Sequence, residues 1–346
     1  MNDVPKRGCF DNQDFHLLII NHMKKILFLT KGQQASSTRD RALIYSDLFR
    51  ADKFILRHLG LSKNLINYLK ALLFAPYYDI IFLQRKLLNY PFFWLLRLLS
   101  KKIIYDFDDS IFLRSNGSIS ETKYKRFKTI CKRSDLIFAG NTFLKKYAEE
   151  HNRKTFLIPT CLDIDKYNLS TVKSKKYFDI VWVGQKSTSK YLIQILPFLE
   201  QAKKSISNLR LINISDVIIN SNLITIKNIK WEENSQYKHI CSSHLGIAPL
   251  AQNNWSKGKC AFKMLQYSSA GLPTISSSVG VNKSLIQKYN SGLLVNTNSD
   301  WENNIKKLKK DAKLYLKLSK NSLKMSQDFD IKKCYKKMIH LVINEL

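Results

Sequence analysis

The chain is poor in acid. Across 346 residues, 27 Asp and Glu stand against 57 Lys and Arg, a formal net charge of +30. Glycine (11) and proline (7) are also scarce, which excludes collagen-like and low-complexity architecture. The six cysteines (Cys9, Cys131, Cys161, Cys241, Cys260 and Cys334) form no C-x-x-C pair and no zinc-type spacing. They read as scattered reduced thiols of a cytosolic chain. The seven histidines show no metal-ligand spacing either. No apolar run approaches the ~18–20 residues that cross a bilayer. Near the start, "HLLII" is too short for a signal-peptide core and no small-residue cleavage site follows. Residues 1–22 read as an N-terminal extension outside the fold, with "MKKILFLT" at Met23 a more natural beginning. No internal repeat is visible.

What is present is a core-forming composition. Hydrophobic residues make up 45% and aromatics 12%, enough for two packed domains at this length. The excess of cations favours an anionic partner: a phosphate-bearing small molecule, a membrane surface or nucleic acid. An AT-rich genome, with its Lys, Asn and Ile codons, is the plain alternative. Nucleic-acid binding finds little further support, because no RNA-recognition aromatic motif, zinc spacing or helix-turn-helix signature accompanies the charge.

Short apolar runs alternate with amphipathic stretches. "KILFLT" (25–30), "DIIFLQ" (79–84), "KIIYDF" (102–107) and "LIFAG" (136–140) read as buried parallel strands. "RDRALIYSDLF" (39–49) and "KNLINYLKALLF" (63–74) between them read as helices. The stretch 158–179 breaks this rhythm and marks a linker. A second series follows: "DIVWVG" (179–184), "LRLINI" (209–214), "LITIKNI" (223–229), "LGIAPL" (245–250), "PTISSS" (273–278) and "GLLVN" (292–296). Residues 301–346 are Lys-rich and helical. The expected architecture is α/β: two successive doubly wound parallel-sheet domains over 23–165 and 179–325, joined by a linker at 166–178. A C-terminal helix, 326–346, packs back towards the first domain. Ligands belong at the carboxyl ends of the strands.

Two stretches of the second half carry chemistry. "VWVGQKSTSKYL" (181–192) runs from a strand through Gly184 into a helix beginning near Thr188 or Ser189. Backbone can approach a ligand at Gly184, the helix amides can hold phosphate, and Lys190 adds a charge. Strand–Gly–helix is also ordinary α/β wiring. "NNWSKGKCAFKMLQYSSAGLPTISSSVG" (253–280) is more specific, because Lys257, Lys259 and Lys263 crowd a loop and the first turns of a helix. Like charges there oppose the helix dipole, and an anionic ligand is a reason to hold them. Solvated lysines in a Lys-rich chain are the alternative.

These stretches, with "NSGLLV", resemble the nucleotide-sugar domain of glycosyltransferase family 4 (group 1 glycosyltransferases), whose GT-B fold sets two Rossmann-like domains across a cleft. The first half is similar too, through "MKKILFLT", "YDIIFLQR", "KKIIYDFDDSIF", "SDLIFAGNTFLKKYA" and "IPTCLDIDKY". The resemblance covers almost everything after Met23. It implies a retaining, metal-independent transfer from a nucleoside-diphosphate sugar, with no further cofactor. The acceptor implied is a saccharide, lipid-linked, in cell-surface polysaccharide assembly at the cytoplasmic face. Residues implied for the donor are Gly184, Gln185, Thr188, Lys190, Lys259, Lys263, Gln266 and Gly280. Gln185 stands where the family has Arg, and its paired glutamates fall on Gly258 and Gln266. A glycosyltransferase-like protein that binds a sugar nucleotide without turnover is therefore a competing expectation.

The same resemblance places "YDFDD" (105–109) at the end of a first-domain strand facing the cleft. By strand alternation Asp106 and Asp108 share a face and Asp109 begins the exit turn. Asp106, Asp108 and Asp109 are candidate catalytic or acceptor-hydroxyl groups, beside Lys190 and Lys263 on the leaving-group side. Two alternatives stay open: pairing with Arg39, Arg41 or Arg85, or a D-x-D-type metal site. Gly32, Arg39 and Arg41, in the loop after the first strand, are candidate acceptor contacts, or surface arginines at a helix start.

"NLINYLKALLFAPYY" (64–78) and "NYPFFWLLRLLSKK" (89–102) are apolar helices flanked by cations. A core-facing role is the simple reading. The other is an interfacial surface on anionic lipid, making the protein peripheral on the inner face of the membrane.

Overall fold

The structure, a computed structural model, describes residues 23–346 apart from Lys63, so the expectation about residues 1–22 lies outside the described residues. The first half forms a six-stranded parallel sheet in the order β2-β1-β3-β4-β5-β6. Its strands are β1 (Lys25–Thr30), β2 (Ile55–Gly60), β3 (Ile80–Gln84), β4 (Lys102–Phe107), β5 (Leu136–Ala139) and β6 (Thr155–Leu157). The second half forms another, β12-β11-β10-β7-β8-β9. It comprises β7 (Phe178–Val183), β8 (Leu209–Ile214), β9 (Thr225–Ile229), β10 (Leu245–Ala248), β11 (Thr274–Ser277) and β12 (Gly292–Val295).

Each sheet is covered by helices on both faces, which is why its central strands are unbroken apolar runs. β3 and β5 are buried at every position, as are β7 and β10. Two clusters flank the first sheet and two the second. The two strands that the sequence hid, β2 and β6, are edges. In β2 the adjacent Arg57 and His58 interrupt the apolar residues, and β6 has only three residues, so neither makes a continuous hydrophobic run. The expected helix over 39–49 is broken into Ser36–Arg41, a 3-10 turn at Leu43–Tyr45 and Ser46–Ala51.

The order reverses direction once in each sheet, between β1 and β3 and between β7 and β10. A doubly wound sheet opens a crevice at such a point, at the carboxyl ends of its strands. The segments after β1, β3 and β4 therefore face those after β7 and β10. The last helix, Ile331–Glu345, returns to the first sheet. Tyr335, Met338 and Val342 join its cluster, with Tyr335 edge-on to Phe49 at 5.1 Å and bonded to Asp52 Oδ2 at 2.7 Å.

The two apolar helices of the first half are only partly used by the core. Leu65–Phe74, capped by Asn64, fully buries Ala71 alone, while Leu65 and Leu73 are 72% and 67% exposed. Tyr90–Leu99, capped by Asn89, buries Phe93 and Leu96 and leaves Leu98 81% exposed. No helix among the described residues is long and apolar enough to cross a membrane.

Candidate active site

The facing strand ends enclose a cleft of about 810 Å³. Its first-domain wall begins at the helix Ser36–Arg41. There Arg39 stacks its guanidinium 4.7 Å from the Trp231 ring and lies 3.6 Å from Glu233, both from the other half. Asp40 lines the cleft beside it and forms no hydrogen bond or ion pair among the described residues. Burial pushes its carboxyl up to about 7, reinforced by Asp108 and Glu233 and opposed by Arg39 and Lys166.

The three adjacent aspartates have three separate fates. Asp106 is still inside β4, in register with Gln84 and Phe138, and is buried beneath the cleft. Arg41 grips it with two nitrogens, at 2.8 and 3.1 Å. Burial works against the Arg41 charge, but Asp106 and the weaker fields of Tyr45 and Asp108 more than offset it and raise its pKa. Asp108 lies past the last strand residue, so alternation no longer governs it. It lines the cleft, and its Oδ1 is buried with no hydrogen-bond partner among the described residues. Asp109 is held by Arg85 at 2.6 Å and by Lys259 from the other half at 3.1 Å. Arg85 adopts a left-handed backbone, φ 60°, and donates its N–H to Asp106 O at 2.7 Å. Such a conformation costs a non-glycine residue about 1–3 kcal/mol and persists only where the surroundings fix it.

On the second-domain wall, the helix following β7 starts at Lys186, earlier than the sequence suggested. Gly184, Gln185, Lys186, Ser187 and Thr188 line the cleft, and no acid occupies the first helical turn. Gln185 Nε2 donates to Ser36 Oγ across the cleft at 2.8 Å. Lys263, on the helix Phe262–Ser269, approaches Thr188 Oγ1 at 3.5 Å and lies 5.3 Å over the Trp182 ring. Burial, with the nearby Lys259 charge adding, pushes its ammonium down to about 8. Gln266 Nε2 donates to Gln236 Oε1 at 3.0 Å, which also accepts from Trp231 Nε1 at 3.2 Å. Cations, helix amides and a stacking aromatic on this wall suit a phosphate joined to a planar base. Partly neutralised carboxylates opposite suit hydroxyl groups.

The structure thus gathers Arg39, Asp108, Asp109, Gly184, Gln185, Thr188, Lys259, Lys263 and Gln266 around one cleft. It places five other candidates elsewhere. Lys190 lies one turn further along its helix, exposed, with Nζ 5.1 Å from the Tyr191 ring, because the helix starts at Lys186. Asp106 and Arg41 are spent on each other. Gly32, at φ 129°, makes the turn after β1, and its Cα leaves no room for a side chain on Gly60. Gly280, at φ 51°, is pressed against Lys257, whose Cα would stand 2.9 Å from a Cβ there. Gly258 contributes no side chain because Ser110 fills the space: a Cβ on Gly258 would lie 1.6 Å from Ser110 Oγ.

Sequence reading missed Asp40, Thr160, Trp231, Glu233 and Gln236 on the cleft wall. Asp40 carried a signal, since it sits between the two arginines singled out. Trp231 and its neighbours, in the loop after β9, carried none. Among the described residues, no group of three or more His, Cys, Asp or Glu is arranged to hold a metal ion.

No protein-family model matches the chain, and no curated protein sequence matches it. Solved structures do. HepE from Anabaena in complex with UDP superposes with a TM-score of 0.69 at 14% identity, over 92% of this chain and 99% of that one. Sucrose-phosphate synthase from Thermosynechococcus elongatus gives 0.67 at 13%, covering 92% and 98%. A UDP-forming trehalose-phosphate synthase from Burkholderia xenovorans gives 0.67 at 12%, covering 93% and 99%. The fold is GT-B.

Proposed function

We propose that the chain is a glycosyltransferase of the family 4 type, moving a sugar from a nucleoside-diphosphate donor to a saccharide acceptor. The observation that carries this is the pair Lys259 and Lys263, projecting from the second domain into a cleft whose opposite wall bears Asp108 and Asp109. Breaking the sugar–diphosphate bond leaves negative charge on phosphate. Fixed cations and amides aimed at that charge stabilise the transition state, each such donor being worth ~2.7–4 kcal/mol. Lys263 and the first turn of Lys186–Ser205 fill this role, with Gln185 and Thr188 beside them. Lys259 joins once phosphate displaces Asp109. Support for UDP as the nucleotide comes from the HepE structures, which hold UDP and UDP-glucose in the same fold. Gln266, linked through Gln236 to Trp231, is read as the ribose contact.

On the acceptor side, Asp108 offers a carboxylate oxygen without a partner, suited to a sugar hydroxyl, and Asp40 stands near it. We read the transfer as retaining and independent of a divalent ion. Two of the three aspartates are already matched by arginine, which leaves little charge for a metal. The acceptor is read as lipid-linked and the protein as peripheral on an anionic membrane, within cell-surface polysaccharide assembly. Support for that comes from the exposed leucines of Leu65–Phe74 and Tyr90–Leu99 on a chain of +30 charge.

Titration with UDP, GDP and dTDP, followed by transfer assays with the corresponding sugar nucleotides, tests the proposal. Tight binding of one nucleotide with sugar transfer is expected. Binding without transfer or hydrolysis would identify a sugar-nucleotide-binding protein, the reading that Gly258 favours. No nucleotide binding would overturn both.

A further inference from the structure

A second cavity, about 570 Å³, lies in the first domain past the carboxyl ends of β2, β3 and β4, against the first turns of the helices Leu65–Phe74 and Tyr90–Leu99. Its size falls in the ~300–1,000 Å³ range of ligand sites. Leu65, Tyr68, Leu87, Phe92 and Ile111 give it an apolar lining, and none of the described residues lining it is a carboxylate. Three cations do. Lys86 donates its ammonium to Leu61 O, and Arg85 is committed to Asp109. Arg126, on the helix Glu121–Arg133, has no ion pair or hydrogen bond among the described residues.

The cavity shares lining residues with other features. Leu65 belongs both to its lining and to the exposed apolar face with Ile66, Leu69 and Leu73. At the inner end, Arg85 lines this cavity and the candidate active-site cleft alike. One residue, held in a left-handed conformation, therefore stands at the threshold between an apolar surface groove and the aspartates of the cleft. An apolar groove whose charged residues, among those described, are all cations, and which shares Leu65 with an exposed apolar face and Arg85 with the candidate active-site cleft, matches one chemistry. That chemistry is a long hydrocarbon chain joined through phosphate to a sugar.

We propose that this groove seats the lipid portion of the acceptor. Leu65, Tyr68, Leu87, Phe92 and Ile111 hold the chain next to its phosphate, Arg126 and Lys86 hold the phosphate, and Arg85 marks where the saccharide passes into the cleft. The inference rests on the glycosyltransferase reading with a lipid-linked acceptor and assigns that acceptor a site.

The test uses the full chain and farnesyl phosphate, kept below the concentration at which it self-associates, with binding followed calorimetrically in the presence and absence of UDP. Farnesyl phosphate is expected to bind alongside UDP, and inorganic phosphate and farnesol each at least about tenfold more weakly. Arg126→Glu and Leu65→Asp, both at accessible positions, should each weaken farnesyl phosphate by about tenfold or more while UDP affinity stays unchanged. Retained UDP binding also shows that the variants fold. Farnesyl phosphate binding that ignores both substitutions, or that competes with UDP, would overturn the assignment. Farnesol binding as tightly as its phosphate would overturn the role of Arg126. Failure of UDP to bind the parent chain would instead strike at the proposed function, leaving the groove to be judged by the two variants.

Discussion

Lys259 Nζ lies 3.1 Å from both carboxylate oxygens of Asp109, a contact between the two halves of the chain made inside the cleft. Of the two lysines proposed to meet a phosphate, Lys259 is thus occupied, and under that proposal a phosphate must compete with Asp109 for it. Asp109→Asn, which keeps the shape and removes the charge, should tighten UDP binding by a few fold. Lys259→Ala should weaken it by roughly tenfold. In denaturant melts, a double-mutant cycle should return a coupling of about 0.5–3 kcal/mol. Equal UDP affinity in all three proteins would remove Lys259 from the nucleotide site.

Under the proposed function, Lys263 should give nucleotide binding a pH limit. Its folded pKa, about 8, lies below that of an unfolded lysine. The cost of burying its charge is therefore full below pH 8 and relieved as pH rises towards 10. Anion binding runs the other way, because it needs the ammonium. UDP affinity should fall by about tenfold per pH unit above 8, with proton uptake on binding near pH 9. Lys263→Met should bind UDP more weakly and lose that slope. A parent chain with no slope between pH 7.5 and 9.5 would contradict this role.

Under the proposed function, Asp40 should supply the acid limb. Its folded pKa, about 7, is raised, so its contribution to stability is present below the unfolded carboxyl pKa and is lost as pH rises through 7. Asp40→Asn should raise the melting temperature at pH 8 more than at pH 5. If Asp40 accepts a hydrogen bond from the acceptor, transfer should decline below pH 7 in the parent, and the variant should show no such limb.

Gly258 is a packing requirement of domain contact. A Cβ would overlap Ser110 Oγ, so Gly258→Ala should cost about 1–3 kcal/mol, as overpacked sites do. Adding Ser110→Gly should restore part of that. Chemical denaturation of the four proteins of the cycle measures it, and additive losses would show that the clash is relieved elsewhere.

The exposed leucines should matter only at a membrane. Leu69→Glu with Leu73→Glu, both at exposed positions, should abolish flotation with anionic vesicles at low salt and leave UDP binding unaltered. Parent protein that fails to float would remove the peripheral role.

Much of the fold was readable because its central strands are buried on both faces and so appear as apolar runs. "KILFLT", "KIIYDF" and "LRLINI" coincide with β1, β4 and β8 to the residue. β2 and β6 were not readable, because an edge strand needs neither length nor continuous hydrophobicity. In the candidate site, the segments were legible but not the roles within them. Asp106, Asp108 and Asp109 look equivalent in a string of letters. They separate only when Arg41, Arg85 and Lys259 arrive from distant positions, and Lys190 loses its place because the helix starts at Lys186.

What the sequence determined alone was local: which runs must be buried on two faces, where a glycine ends a strand, where lysines crowd a helix start. Those are short-range consequences of hydrophobic patterning and backbone sterics. Tertiary structure decided which charges are paid off internally and which remain for a ligand, since an ion pair depends on distances between residues 65 or 150 positions apart. It likewise set Arg85 between groove and cleft, a position defined by two surfaces that exist only once the sheets have closed.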